Sequence, residues 1–411
     1  MVDLAIVGRL GSATYIGAIA VGSSIFNMVY WLLNFLRAGT SGLTAQAVGA
    51  GNLGRRDDIF YRGIIIGTIM GILAVALSPL IATIFIPFME ADADTSRLAG
   101  EYFLLVIWGA PAYLATSAIG GWLLGNQNSV ATLKIAILTN IANILLSLCF
   151  VFLFGMKIKG VALGTASSQW IGCMYGLWII RRRYSPRFSR FGRVFEGSEV
   201  KGFFKLNFDI FLRTLCLVAV TLWFTRSGAR LGPDILAANA ILMQLFMLFS
   251  FFMDGFAYAG EAIAGKEFGA GNLKALRTLE TDLMKWGIVL ATLGIIVYFF
   301  AGEIILALLT REEGVKTVAR DYLLWAVTIP LFGFMAFIYD GIYIGLSLTR
   351  RLLLSMLIAM GVFFIVLFIL QPFWHNHALW MAFSLYLVTR GIAQYFLLKN
   401  HMAASAADTR T

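Results

Sequence analysis

A few polar side chains lie inside long apolar stretches of this chain and are candidates for chemistry. Asp3 lies in the run VDLAIV, and Asn143 and Ser147 are four residues apart on one predicted helix face. Thr165 lies near the start of the next predicted helix, and Asn140 lies one turn before Asn143. A buried carboxylate costs at least about 2.5–3.5 kcal/mol in a membrane helix, so it is retained for a proton, an ion or a partner.

The second half of the chain has its own polar residues in apolar surroundings. Asp340 is enclosed by the run FIYDGIYIG, and Asp254 lies in a long apolar stretch. Asp209 and Arg213 are four residues apart, a spacing that favours a self-neutralised pair over a substrate clamp. These residues and Asn140 are the candidates for the lining of a substrate cavity.

The elements that position these residues are membrane helices. Hydrophobic residues make up 60% of the 411 residues and charged residues 13%, which is about half the charged fraction of soluble domains. Stretches of about 18 or more apolar residues can cross a bilayer. Such stretches are predicted near 15–37, 63–89, 100–125, 133–154, 160–181, 204–226, 234–260, 284–308, 322–346, 351–373 and 378–398. The sequence also opens inside an apolar run of about ten residues, which predicts a first helix that is cut short.

Basic residues predict the orientation of these helices. Of the 32 Lys and Arg residues, 20 lie on one set of alternate segments, nine lie on the other set and three lie within predicted helices. The positive-inside rule places the first set and the C-terminus in the cytoplasm. The net charge of +10 therefore reflects topology and predicts no nucleic-acid partner. The basic segment RRRYSPRFSRFGR fits either a cytoplasmic tether, which is favoured, or a contact with anionic lipid.

An internal repeat relates the two halves of the chain. The pentapeptide GAGNL occurs at 49–53 and again at 269–273, a displacement of 220 residues that also pairs Gly121 with Gly341 and Gly125 with Gly345. The displacement spans six helices, so the repeat is predicted to be parallel, as in two-lobed transporters. The predicted lobes are residues 1–181 and 204–399, with a linker at 182–203 and a cytoplasmic tail at 400–411.

The residue pattern argues against an enzyme. Gly260 to Lys266 has the spacing of a phosphate-binding loop, but Glu267 follows in place of Ser or Thr and no strand precedes it. The histidines His375, His377 and His401 have no neighbouring acids or cysteines with the spacing of metal ligands. We therefore expect no catalytic residues, no metal and no cofactor.

Several segments resemble the multidrug and toxic compound extrusion family. VDLAIVGRLGS and GAIAVGSSIFN resemble its first two helices, while AQAVGAGN, EAIAGKEFGAGN, FDIFLRTLCL and YDGIYIGLSLTR are most similar to its DinF branch. The resemblance implies twelve helices in two lobes, an all-α polytopic fold of which the first helix is truncated here. Either a late start site or a real truncation would explain the short helix. Relatives often bend this helix at a proline that this sequence lacks.

The resemblance also implies a function and a set of site residues. Family members are antiporters that export organic cations or amphiphilic drugs against protons or sodium. Asp3 matches the coupling aspartate of proton-linked relatives, and Asn143, Ser147 and Thr165 match its neighbours. Ser147 stands where relatives carry an acid, which weakens a sodium site, and Asp340 resembles an acid of the sodium-linked branch. The region of that acid's usual partner on the seventh helix is occupied by Trp223 to Thr225.

We therefore predict a monomeric, proton-coupled efflux antiporter of the inner or plasma membrane. Its partners are small cationic or amphiphilic molecules and membrane lipids. The alternatives are a sodium-coupled antiporter of the same family and an exporter of lipid-linked molecules or oligosaccharides. A non-transporting membrane scaffold is the alternative from a different class.

Overall fold

The computed structural model describes residues 13–33, 35–89, 92–188, 194–310 and 312–408. Asp3 therefore lies outside the described residues. The chain divides into two compact units, Met1–Asn207 and Phe208–Thr411.

The first unit contains seven described α-helices and the first turns of an eighth. They are α1 (Ala13–Leu33), α2 (Phe35–Gly49), α3 (Leu53–Phe88), α4 (Ala93–Val106), α5 (Ala110–Gly125), α6 (Ser129–Leu148) and α7 (Lys157–Arg183). A 3₁₀ turn at Ile107–Gly109 joins α4 to α5, and a π-helical turn at Cys149–Leu153 ends α6. Within this unit α5 packs against α2 and α3, and α6 packs against α7.

The second unit has fewer and longer helices. They are α8 (Gly197–Arg230), whose first turns belong to the first unit, α9 (Pro233–Gly269), α10 (Leu273–Leu309), α11 (Glu313–Gly345) and α12 (Thr349–Asp408). Helix α12 bends at His375, where φ is 45° and ψ is −117°, so it covers two of the predicted membrane stretches. The main packing partners of α11 are α9, α10 and α12.

Helix bounds follow the predicted displacement of 220 residues. Helices α1 and α2 span 13–49, and α9 spans 233–269. The segment from α4 to α5 covers 93–125, and α11 covers 313–345. The repeated GAGNL sequence forms the same turn twice, because Gly51 and Gly271 have φ of 67° and 71°. The next residues, Asn52 and Asn272, accept a hydrogen bond from the N–H three residues later at 3.0 and 3.1 Å.

Matched glycines bring equivalent helices into close contact in both units. A Cβ atom on Gly121 would clash with the Arg37 carbonyl oxygen, and one on Gly341 would clash with that of Ala257. The two carbonyl residues are themselves 220 apart, so the contact of α5 with α2 is repeated by α11 with α9. Small residues permit such close helix approach inside membranes.

The outer helix surfaces have the composition expected of contact with lipid. Nine helical stretches of the described chain are long and apolar enough to cross a bilayer. Large apolar side chains on these helices are exposed, such as Ile69, Leu80 and Phe300. Helix α7, which matches the predicted stretch 160–181, is outside the nine. The all-α, polytopic fold class is confirmed.

Candidate functional site

A cavity of about 750 Å³ opens within the first unit. Drug-sized ligands occupy pockets of roughly 300–1,000 Å³, so this volume suits such a molecule. Helices α1, α2, α5, α6 and α7 all contribute to its wall. Its lining includes Phe26, Asn27, Tyr30, Trp31, Arg37, Tyr113, Thr116, Ser117, Gly120, Thr132, Ile135, Ala136, Thr139, Asn140, Asn143, Thr165, Ser168 and Gln169.

One wall of the cavity is aromatic. The rings of Tyr30 and Tyr113 stack with centroids 3.9 Å apart, and Phe26 packs on Tyr30 at 4.1 Å. The Tyr30 hydroxyl donates a hydrogen bond of 3.0 Å to Gln169 Oε1, which holds the ring in place. Stacked, fixed rings form a flat apolar surface that can receive a planar ligand with little loss of side-chain entropy.

The opposite wall is lined by amide and hydroxyl groups. Helix α6 places Thr132, Thr139 and Asn143 on the cavity because residues three, four and seven apart share a helix face. Asn143 Nδ2 donates a hydrogen bond of 2.9 Å to Thr165 Oγ1 on α7. Asn140 also lines the cavity, and its Nδ2 donates to the Ala136 carbonyl oxygen at 2.9 Å. The predicted group of Asn143, Thr165 and Asn140 is therefore brought together at one cavity.

Ser147 lies elsewhere. It is fully buried, and a Cβ atom on Gly164 of α7 would clash with its Oγ. Ser147 thus packs in the contact between α6 and α7, whereas Asn143, one turn earlier, borders the cavity. The side chain of Asp3, the predicted centre of the group, is outside the described residues.

The charge of the cavity wall comes from Arg37. Among the described lining residues it has the one formal charge at neutral pH, and none of the described lining residues is a carboxylate. The remaining polar groups are neutral amides and hydroxyls. A carboxylate beside such a wall would have neutral hydrogen-bonding neighbours, and low dielectric favours its protonated form.

A second polar cluster lies inside the second unit. Oδ2 of Asp340 on α11 accepts hydrogen bonds from the guanidinium groups of Arg213 on α8 and Arg390 on α12. Its Oδ1 accepts a hydrogen bond of 2.7 Å from Gln394 Nε2. Asp340 is 7% exposed, Arg390 3% and Gln394 0%. Buried charges of this kind are stable when they are paired and hydrogen-bonded, and both carboxylate oxygens are used here.

The two other predicted acids of this unit border the cluster. Asp209 Oδ2 accepts a hydrogen bond of 2.9 Å from Thr349 Oγ1, so it is not the partner of Arg213 as the i, i+4 spacing suggested. Asp254 on α9 is close enough to attract Arg213 electrostatically. The expectation that the seventh helix lacks a partner for Asp340 is also wrong, because Arg213 on α8 is that partner.

The sequence analysis overlooked parts of both sites. Arg390 and Gln394 are four residues apart on an apolar helix, a signal that should have indicated a buried partner for Asp340. Tyr30 and Gln169 are 139 residues apart, and no local spacing predicts their hydrogen bond. Among the described residues, no three His, Cys, Asp or Glu side chains are grouped as metal ligands would be.

Comparisons with known proteins agree with this architecture. The MatE family model matches residues 1–149 and 209–370. The chain is 34% identical over 408 residues to the DNA damage-inducible protein F of Escherichia coli (strain K12), which covers 98% of this chain and 88% of that protein. It is 27% identical to a probable multidrug resistance protein NorM of Deinococcus radiodurans, over 67% of this chain and 61% of that protein.

Solved structures show the same fold. A crystal structure of a MATE protein in a bent conformation superposes with a TM-score of 0.89 at 18% identity, covering 100% of this chain and 92% of the other. A crystal structure of a point mutant of the Vibrio cholerae MATE transporter VcmN has a TM-score of 0.86 at 14% identity, with coverages of 98% and 92%.

Proposed function

This chain belongs to the MatE family of multidrug efflux transporters, and on that premise we propose that it exports organic cations or amphiphilic drugs in exchange for protons. Family membership makes the protein an integral membrane transporter of small molecules and not an enzyme. The substrate class and the coupling ion are the proposed parts.

The cavity of the first unit is the observation that carries this proposal. Its aromatic wall of Phe26, Tyr30 and Tyr113 suits the flat apolar body of an amphiphile. The amides and hydroxyls of α6 and α7 suit the polar edge of the same molecule. An apolar pocket with a few placed polar groups is the usual form of a small-molecule site.

Proton coupling is proposed for Asp3 in the first unit, with Asn143 and Thr165 as neutral neighbours. A carboxyl group that loses water and gains no opposite charge holds its proton at higher pH. Such a group can take up and release a proton near neutral pH, so proton and substrate would compete for one cavity. Ser147 is retained as a predicted member of this group, although its buried packing favours an indirect contribution.

The second unit favours protons over sodium for a separate reason. Asp340, the acid that resembles one in the sodium-linked branch, accepts from two guanidinium groups. A sodium ion at this carboxylate would have to compete with two cations that the chain itself holds in place. Such competition opposes ion binding at this site. We propose that the helices of this unit support substrate range more than coupling.

Location and orientation follow from charge. The basic alternate segments support an inner or plasma membrane protein with a cytoplasmic C-terminus, and one chain supplies the whole cavity, which supports a monomer. No nucleic-acid partner and no cofactor besides the coupling ion are proposed.

Proteoliposome transport tests this function. We would measure uptake of a fluorescent organic cation under an imposed proton gradient and, separately, under a sodium gradient. The proton gradient should drive transport in the unmodified protein, and Asp3→Asn should abolish it. Asp282→Asn, which changes an acid whose side chain is 54% exposed, is the matched control and should transport normally. Transport driven by sodium alone, or full proton-driven transport by Asp3→Asn, would contradict the proposal.

A further inference from the structure

The segment between α7 and α8 is fastened to the first unit by the opening turns of α3. The Tyr61 hydroxyl donates a hydrogen bond of 3.0 Å to the Pro186 carbonyl oxygen. Asp57 Oδ2 accepts one of 3.0 Å from the Arg187 N–H. Two neighbouring residues of α3 thus hold the backbone of the start of this segment, where a free tether would make no such contacts.

The far end of the same segment is held as firmly. Arg62 of α3 is 2% exposed, and its Nε donates a hydrogen bond of 2.9 Å to the Val194 carbonyl oxygen. Its Nη1 also lies 3.3 Å from Glu199 Oε2. Phe203 is 1% exposed and packs in a cluster with Leu36. We call the described residues 184–188 and 194–207 the strap.

The internal repeat shows that this docking set is particular to the first unit. A displacement of 220 residues pairs Tyr61 with Thr281 and Arg62 with Asp282. Asp282 is largely exposed and forms its ion pair with Lys285, three residues later on the same helix. The opening turns of α10 therefore lack the groups that hold the strap, so these groups are a specific feature of α3 and not a general device of the fold.

Because the inner side of the strap is used for docking, the outer side is strongly basic. Exposed cations lie on the strap and on the last turn of α7: Arg181, Arg182, Arg183, Arg187, Lys201 and Lys205. Glu196 is the exposed acid among these described residues. Glu199 is bound by Arg55 at 3.5 Å and by Arg62, so it does not neutralise the outer cations.

The depth of these cations matches the headgroup layer. Helix α8 has 34 residues, a length of about 51 Å at 1.5 Å per residue, and exceeds a hydrocarbon core of roughly 30 Å by about seven residues at each end. Lys201 and Lys205 lie near this boundary, with Phe204 half exposed between them. On α7 the Arg182 guanidinium lies 5.3 Å from the ring centre of the exposed Trp178. Cations beside exposed aromatic rings are typical of the membrane interface.

We propose that the outer face of the strap and the end of α7 form a binding surface for the headgroups of anionic phospholipids. The docked strap fixes the backbone that carries the cations, so little conformational entropy is lost when a headgroup binds. Each cation near an anionic membrane surface contributes about 1 kcal/mol, or roughly a fivefold increase in lipid affinity. The lipid would thereby attach the first unit to one leaflet at a fixed depth.

Native mass spectrometry of the purified full chain tests the proposal without any transport assay. Detergent-solubilised protein is titrated with phosphatidylglycerol and with phosphatidylcholine, and bound adducts are counted. We expect a clear preference for phosphatidylglycerol. The triple variant Arg182→Gln, Lys201→Gln, Lys205→Gln should reduce that preference at least tenfold, against a ceiling of roughly 100-fold from the three cations.

Matched controls separate this surface from general electrostatics. The double variant Lys274→Gln, Arg277→Gln removes exposed cations from the opening turns of α10, where no strap docks, and should keep the preference. The conservative triple with Lys and Arg exchanged should also keep it. Raising the salt concentration should weaken the preference of the unmodified chain, a result that requires no variant to fold. The proposal is overturned if the Gln triple keeps its preference, if the α10 control loses as much, or if salt has no effect.

Discussion

Asp340→Asn is the substitution that tests the ion network of the second unit most directly. The asparagine keeps the size of the side chain but removes the charge from the oxygen that Arg213 and Arg390 share. Both guanidinium groups would remain inside the helix bundle, with Asp254 as the next acid near Arg213. Leaving a buried charge without its partner is far more costly than losing a hydrogen bond.

The expected loss can be set against a matched acid in the same unit. Breaking a buried ion pair costs about 3–5 kcal/mol, whereas one neutral hydrogen bond contributes about 0.5–1.5 kcal/mol. Asp209→Asn is the control, because that carboxylate accepts from Thr349 at 2.9 Å. At about 2–4 °C per kcal/mol for a unit of this size, Asp340→Asn should lower the melting temperature by roughly 10 °C and Asp209→Asn by about 3 °C.

Thermal unfolding of the purified protein in detergent measures both variants. A third variant in which Asp340, Arg213 and Arg390 are all changed to Met should melt above Asp340→Asn, because a buried ionic cluster can be replaced by apolar side chains of similar size. If Asp340→Asn melts within about 3 °C of Asp209→Asn, the network does not hold the second unit as the geometry indicates.

Three further outcomes are expected. Gly120→Leu should weaken substrate binding at least tenfold without a change in melting temperature, because a Cβ there meets one methyl group at 3.6 Å and the rest extends into the cavity; binding titration checks this, with Gly361→Leu as the control. Gly341→Ala should reduce the yield of folded protein relative to Gly361→Ala, because its Cβ clashes with a carbonyl oxygen, and overpacking costs about 1–3 kcal/mol. Hydrogen bonds from Thr95 lower the pKa of Asp92, so its stabilisation is present above pH of about 4 and is lost as pH falls through the lowered pKa. Thermal unfolding of Asp92→Asn should therefore show less acid sensitivity between about pH 5 and pH 3.

The repeat was predictable because it is written in local sequence. Identical turns at 49–53 and 269–273 fix the ends of equivalent helices, and the matched Gly121 and Gly341 fix their closest contacts. Asn143 and Thr165 were also predicted as neighbours, and they form a hydrogen bond of 2.9 Å. In each case, short-range signals and the family resemblance were enough.

The charge pairing was not predictable from spacing. Asp209 and Arg213 are close on one helix, yet Arg213 pairs with Asp340, which is 127 residues away in the chain. Helix packing decides which of two possible acids a buried cation meets. Ser147 illustrates the same limit, because Gly164 leaves room for α6 to approach α7 and so draws that side chain into the helix contact.

One pair of equivalent positions shows how the two halves of the repeat differ in use. Gly120 and Asp340 each precede a glycine that clamps its helix against a neighbour, so the backbone around them is equivalent. In the first unit this position lacks a side chain and borders an open cavity. In the second unit the same position carries a carboxylate that joins two arginines from α8 and α12. One half of the repeat therefore keeps space for a ligand, whereas the other fills the equivalent position with charges that bind its own helices together. This difference is the physical basis for assigning substrate binding to the first unit.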